Sequence, residues 1–149
     1  VNITYPKPEE EKLIIRQNIQ REKKEIKPIL KPEDIIEARK VVQQVYLDEN
    51  IEKYIVDIVH ATRFPELCGL EHLKDMISFG GSPRASINLA LAAKAYAFIE
   101  GKGYVVPEHV RAIAMDVLRH RIGLSYEAEA NNMTTEEIIN EILNSVEVP

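Results

Sequence analysis

Apolar residues recur three and four positions apart through most of this chain, the spacing that lines one face of an α-helix. The first such stripe, Leu13, Ile14, Ile15, Ile19 and Ile26, predicts a helix over 9–26 with one buried face. Glu9, Glu10 and Glu11 fall in its first turn and Lys23, Lys24 and Lys27 near its end, as the helix dipole prefers. After the extended connector Pro28-Ile29-Leu30, Pro32 with Glu33 and Asp34 opens a second helix through Ile35, Ile36, Ala38, Val41 and Val42. A brief strand over 45–47 precedes a third helix, capped by Asp48 and carrying Ile51, Tyr54, Ile55, Ile58 and Val59 inward. Residues 64–79 break the helical period, with one short helical turn expected over 71–77.

From Pro83 to Glu100 apolar residues cover almost the whole helical circumference, so this stretch is expected to be the buried core helix, with Ala92 and Ala95 inside. Tyr104-Val105-Val106 reads as a β-like connector, and Pro107 opens a helix with Val110, Ile113, Ala114, Val117 and Leu118 inward, ending at Arg119-His120-Arg121. At Ile122 the period changes to two, which predicts a half-buried extended segment or edge strand over 122–128. Thr134 and Glu137 have the spacing of a capping box and start a last helix through Ile138, Ile139, Ile142 and Leu143. The expected class is mainly α: a compact helical bundle in one domain over 1–149, with short β segments near 28–30, 45–47, 104–106 and 122–128.

Bulk properties narrow the function classes. A chain of 149 residues can bury a core, and a net charge of −5 argues against a general nucleic-acid surface. Cys68 is the single cysteine, so no internal disulfide framework exists and a reducing, cytoplasmic setting is expected. The longest apolar stretch, Ile87 to Ile99, is interrupted by Asn88 and Lys94 and is too short to cross a membrane. The chain opens at Val1 without a signal-peptide pattern, and the missing initiator methionine is what an excised fragment or a processed start would show.

The sharpest candidate chemistry lies at Gly80-Gly81-Ser82-Pro83-Arg84-Ala85. Two glycines give a flexible approach, Ser82 can cap the helix, and Pro83 suits its first position. Arg84 then sits in the first turn, where the dipole disfavours a cation by roughly 0.3–1 kcal/mol unless an anion is near. A guanidinium beside helix-start N–H groups is a phosphate-sensing arrangement; a side chain lying along the surface or pairing with a carboxylate is the alternative. Arg121 has two readings as well, dipole complementation at a helix end or contact with a phosphate or a neighbouring subunit. Val45-Tyr46-Leu47-Asp48-Glu49 imitates the acidic strand of P-loop ATPases, yet the chain has no phosphate loop, and Asp48 is read as a helix cap. Cys68, His72 and His60 lack paired ligand spacing, so no metal site is expected.

In this order, several stretches resemble the C-terminal lid domain of MoxR-type AAA+ ATPases over nearly the full length. They are Tyr5-Pro6 with the acids to Glu11; Tyr54-Ile55-Val56 with Ala61-Thr62-Arg63; Gly81-Ser82-Pro83-Arg84-Ala85; Tyr104-Val105-Val106-Pro107 with Val110; and Val117 to Ile122. Tyr126 to Ala130 and the end at Val146 to Pro149 are similar to the way these proteins finish. The resemblance implies an absent nucleotide-binding core before Val1, with 1–6 the end of the linker and 122–149 a C-terminal extended segment plus last helix. It implies that Arg84 is the second sensor arginine, reaching the γ-phosphate of ATP, with Ser82, Pro83 and Arg121 near the nucleotide or a subunit boundary. It also implies ATP and Mg²⁺ in the full-length protein and none bound by the fragment alone. The implied partners are that core, the neighbouring subunits of a homo-oligomeric ring, a hexamer, and a von Willebrand factor A domain protein. A small helical interaction or DNA-binding module, with Arg111, Arg119 and Arg121 on phosphates, is the competing expectation.

Overall fold

A computed structural model describes residues 5–20 and 27–149 and separates the chain into two units, 1–37 and 38–149. The first unit holds helix α1 (Pro8–Gln20) and the start of α2 (Pro32–Gln44). Both helices open with proline and acids in the first turn, and Glu10 and Asp34 accept from the backbone N–H groups of Lys7 and Lys31 at 2.7 and 2.8 Å. The expected burial of α1 is corrected: Leu13, Ile14, Ile15 and Ile19 are exposed, because no other described residue of this unit is packed over them. Ile26, Lys23 and Lys24 lie outside the described residues. The β segment expected at 28–30 is also corrected. Ile29 and Leu30 form an exposed bend, since Pro28 has no N–H to donate and no strand runs beside it among the described residues.

The second unit is built around α3 (Glu49–Ala61), α4 (Pro83–Ile99), α5 (Pro107–Leu118) and α7 (Thr135–Ser145). Tyr54, Ile58 and Val59 of α3, Leu89 of α4, Val110 and Leu118 of α5, and Ile138 to Leu143 of α7 form one core, with α4 packed chiefly on α5 and then on α3. Asp48 caps α3 by accepting from Asn50 N–H at 2.9 Å, as its position before the helix predicts. The β segments at 45–47 and 104–106 meet in one parallel bridge, where Tyr46 N–H donates to Gly103 C=O at 2.8 Å and Val105 N–H to Tyr46 C=O at 2.9 Å.

The central helix departs from expectation. Its buried positions, Ala85, Leu89, Ala93 and Ala97, form a single stripe at four-residue spacing, whereas Ala92 and Ala95 are only half buried. Ile87 and Leu91 lie on the opposite side and are 58% and 57% exposed. Alanines on the buried stripe let α5 approach closely, so the bulkier apolar residues are left to the outer face.

Between α3 and α4 the chain forms two 3₁₀ turns, Pro65–Cys68 and Glu71–Leu73, and then a strand that the sequence pattern did not predict, β1 (Ile77–Phe79). It pairs antiparallel with β2 (Gly123–Leu124). The edge strand expected over 122–128 shrinks to those two residues. Ser125 turns the chain by accepting from Ala128 N–H at 3.2 Å and donating to Asp75 C=O at 2.6 Å, which starts the short helix α6 (Tyr126–Ala130). Two-residue alternation placed Tyr126 and Ala128 on one side; in the helix Ala128 is buried while Tyr126 is 91% exposed.

Candidate functional site

The start of α4 is assembled from two directions. Along the chain, Ser82 is extended (φ −75°, ψ 170°), Pro83 occupies the first helical position, and Ala85 N–H donates to Ser82 C=O at 2.7 Å. Ser82 is at the cap position without a side-chain capping hydrogen bond. Ser82, Pro83 and Arg84 are all exposed, and the first turn holds no acidic residue. Among the described residues no carboxylate pairs with the Arg84 guanidinium. The geometry therefore presents a cation that no carboxylate neutralises among the described residues, at the positive end of a helix dipole, an arrangement that gains when an anion arrives.

From across the fold, the approach to α4 is held by the end of α3. The buried Thr62 hydroxyl donates to Val59 C=O at 2.6 Å and accepts from Gly81 N–H at 2.8 Å. A Cβ at Gly80 would overlap the Thr62 carbonyl, and one at Gly81 would lie 3.1 Å from Ala85 Cβ and 3.2 Å from Val59 Cγ1. Close packing requires a glycine at position 80 and leaves little room beyond one at 81, which corrects the expectation of a flexible approach.

Arg121 follows α5, its N–H donating to Leu118 C=O at 2.8 Å. It is partly buried, and its Nε has no hydrogen-bond partner among the described residues. Antiparallel pairing sets Phe79 against Gly123, so the segments carrying Ser82 to Arg84 and Arg121 leave from the same end of one ladder. Two further arginines, Arg111 and Arg119, are spent internally. Arg111 donates to Leu143 C=O and, at 2.8 Å, to Asn144 Oδ1, tying down the end of α7. Arg119 Nε lies 3.0 Å from Glu136 Oε1, off the hydrogen-bond axis, and Nη2 lies 3.6 Å from Asp116 Oδ1. A row of phosphate contacts from Arg111, Arg119 and Arg121 would have to break these ties.

His109, which sequence reasoning missed, is a buried N-terminal lock for α5. Its Nδ1 accepts from Val106 N–H at 3.2 Å and its Nε2 lies 3.1 Å from Glu100 Oε2, the tautomer being set by the backbone donor. Its only sequence signal was a polar ring three positions into a helix that lacks a polar cap residue. His72 Nε2 is 2.6 Å from Glu141 Oε2, and the His60 ring lies against Phe64. Among the described residues no group of three or more His, Cys, Asp and Glu is placed to hold a metal ion, and no helix is long and apolar enough to cross a membrane.

For a nucleotide, the fit is partial. Arg84 can meet one phosphate edge, but the described residues offer no glycine-rich cradle or Mg²⁺-binding acids beside it.

Comparison with known proteins gives a consistent result. Residues 71–142 match the AAA lid domain family. The chain is 37% identical to chaperone MoxR1 of Mycobacterium tuberculosis over its full length, spanning 39% of that protein. It is also 37% identical to the uncharacterised protein YeaC of Bacillus subtilis, with 83% of this chain and 36% of the relative covered. A crystal structure of a candidate ATPase from Cytophaga hutchinsonii superposes with a TM-score of 0.88 at 39% identity, covering all of this chain and 46% of that one. The chain thus spans less than half the length of each of these relatives.

Proposed function

This chain belongs to the lid domains of MoxR-family AAA+ proteins, and from that premise we propose that Arg84 is a nucleotide sensor, reaching toward the γ-phosphate of ATP held by the AAA+ core of the same polypeptide. The observation that carries this reading is the exposed Arg84 in the first turn of α4, with no acid in that turn and no carboxylate paired to it among the described residues. ATP with Mg²⁺, bound by the core, supplies the phosphoryl chemistry. Arg84 contributes a planar pair of N–H donors to the phosphate oxygens and relieves the mismatch of a cation at a helix start. Loss of the γ-phosphate removes that contact, so the lid has one preferred orientation per nucleotide state.

In this proposal the lid makes no catalytic site alone. Its movement is transmitted through a homo-oligomeric ring, a hexamer, to a chaperone-like remodelling activity in the cytoplasm, with Arg121 near the nucleotide or the subunit boundary. A von Willebrand factor A domain protein is the proposed working partner. The decisive experiment is Arg84→Ala in the full-length protein. ATP turnover should fall about 10²-fold, the scale seen when one charge-stabilising donor is removed, while folding stability changes by less than about 0.5 kcal/mol. Unchanged turnover would sink the sensor role.

A further inference from the structure

We propose that Thr62 is a positioning residue for Arg84, acting through the backbone of Gly81. This rests on the sensor reading of Arg84 and adds to it the device that aims the side chain. Three observations converge on it. The Thr62 hydroxyl is fully buried and bonded at both lone functions, donating to Val59 C=O and accepting from Gly81 N–H. Gly80 fits only because it lacks a Cβ against the Thr62 carbonyl, and Gly81 is packed closely on Val59 and Ala85. Finally, Ser82 supplies no side-chain cap, so among the described side chains the tie to the turn before Pro83 comes from Thr62.

The geometry has a direct consequence. Only Ser82 and Pro83 separate Gly81 from Arg84, and Pro83 has a fixed φ, so a shift of the Gly81 peptide is passed to the first turn of α4 with little loss. Thr62 itself is buried and cannot touch a nucleotide; it sets where the guanidinium points. Small misplacements of this kind carry large kinetic effects when the displaced group must meet a developing charge.

The test is a double-mutant cycle on ATP turnover in the full-length protein, using Thr62→Val, Arg84→Ala and the pair. Thr62→Val preserves shape but removes both hydrogen bonds, and should lower turnover about tenfold. Added to Arg84→Ala it should lower turnover less than about twofold, because a residue that acts through Arg84 has nothing left to aim. Thr62→Ser should restore turnover close to that of the parent. Loss by the same factor in both backgrounds would mean a purely structural role and overturn the proposal, as would a normal Thr62→Val beside a crippled Arg84→Ala. An Arg84→Ala protein with full turnover overturns the sensor reading itself. Should Thr62→Val fail to fold, Gly80→Ala takes its place, since its Cβ overlaps the Thr62 carbonyl and must displace the same approach with the hydroxyl present, and the same non-additive pattern is required.

Discussion

Helices α4 and α7 begin in opposite ways. At α7, Thr134 accepts from Glu137 N–H at 3.2 Å and the Glu137 carboxylate accepts from Thr134 N–H at 2.7 Å, so the end is satisfied by residues within one turn. Two acids in that turn complement the dipole. At α4 the cap side chain makes no such bond, the first turn carries a cation, and the approach is tied by a hydroxyl 19 residues earlier in the chain. A helix end closed locally is stable and chemically inert. The start of α4 is fixed from elsewhere in the fold, while its own first turn carries no acid.

Packing gives the largest expected effect. Leu89→Ala, on the buried stripe of α4, should destabilise the fold by about 2–5 kcal/mol in chemical denaturation, while Leu91→Ala on the exposed side should stay within about 0.5 kcal/mol. Equal costs would remove the distinction between the two faces. Next comes Ala93→Leu, which should cost about 1–3 kcal/mol by overpacking α4 against α5. The half-buried Ala92 is the gentler site for the same change.

The caps separate next. Thr134→Ala should cost about 1 kcal/mol, whereas Ser82→Ala, with no side-chain bond to lose, should cost a few tenths at most. A Ser82 variant as damaging as the Thr134 variant would show that α4 is capped locally after all.

The smallest effect is acid sensitivity. The backbone N–H of Thr134, followed by its hydroxyl, holds the Glu137 carboxyl below its ordinary value of 4.5. Because the folded state lowers this pKa, its contribution is fully present above 4.5 and is lost as pH falls through the lower folded value. Asp48 behaves likewise through Asn50 N–H. Glu137→Gln should therefore flatten part of the decline in melting temperature below that pH; an unchanged slope would remove the capping carboxylate from the account. The first turn of α4 has no carboxylate and contributes no matching acid loss.

How far the sequence could be read follows from the range of each cause. Asp48, Pro83, Pro107 and the Thr134–Glu137 pair act within a single turn, and the structure has helices beginning at each of them. The placement of Arg84 in a first helical turn was legible for the same reason. That no carboxylate among the described residues pairs with it was not, because a partner could have come from any element. Residues 77–79 showed no strand signal, since their partner is a two-residue segment far along the chain. The apparent alternation after Ile122 misled because Ser125 and its bond to Asp75 C=O redirect the chain into α6.

By itself, then, the sequence determined the helical class, the helix starts and the family resemblance, all of which depend on residue type and spacing over short distances. Tertiary structure alone decided which face of an almost wholly apolar α4 is covered, because periodicity cannot choose when nearly every position is apolar. It alone showed that Gly80-Gly81 is a clamped approach, since a glycine needed for freedom and a glycine needed for contact are the same letter. The difference lies in the Thr62 hydroxyl and carbonyl that fill the space a side chain would have taken.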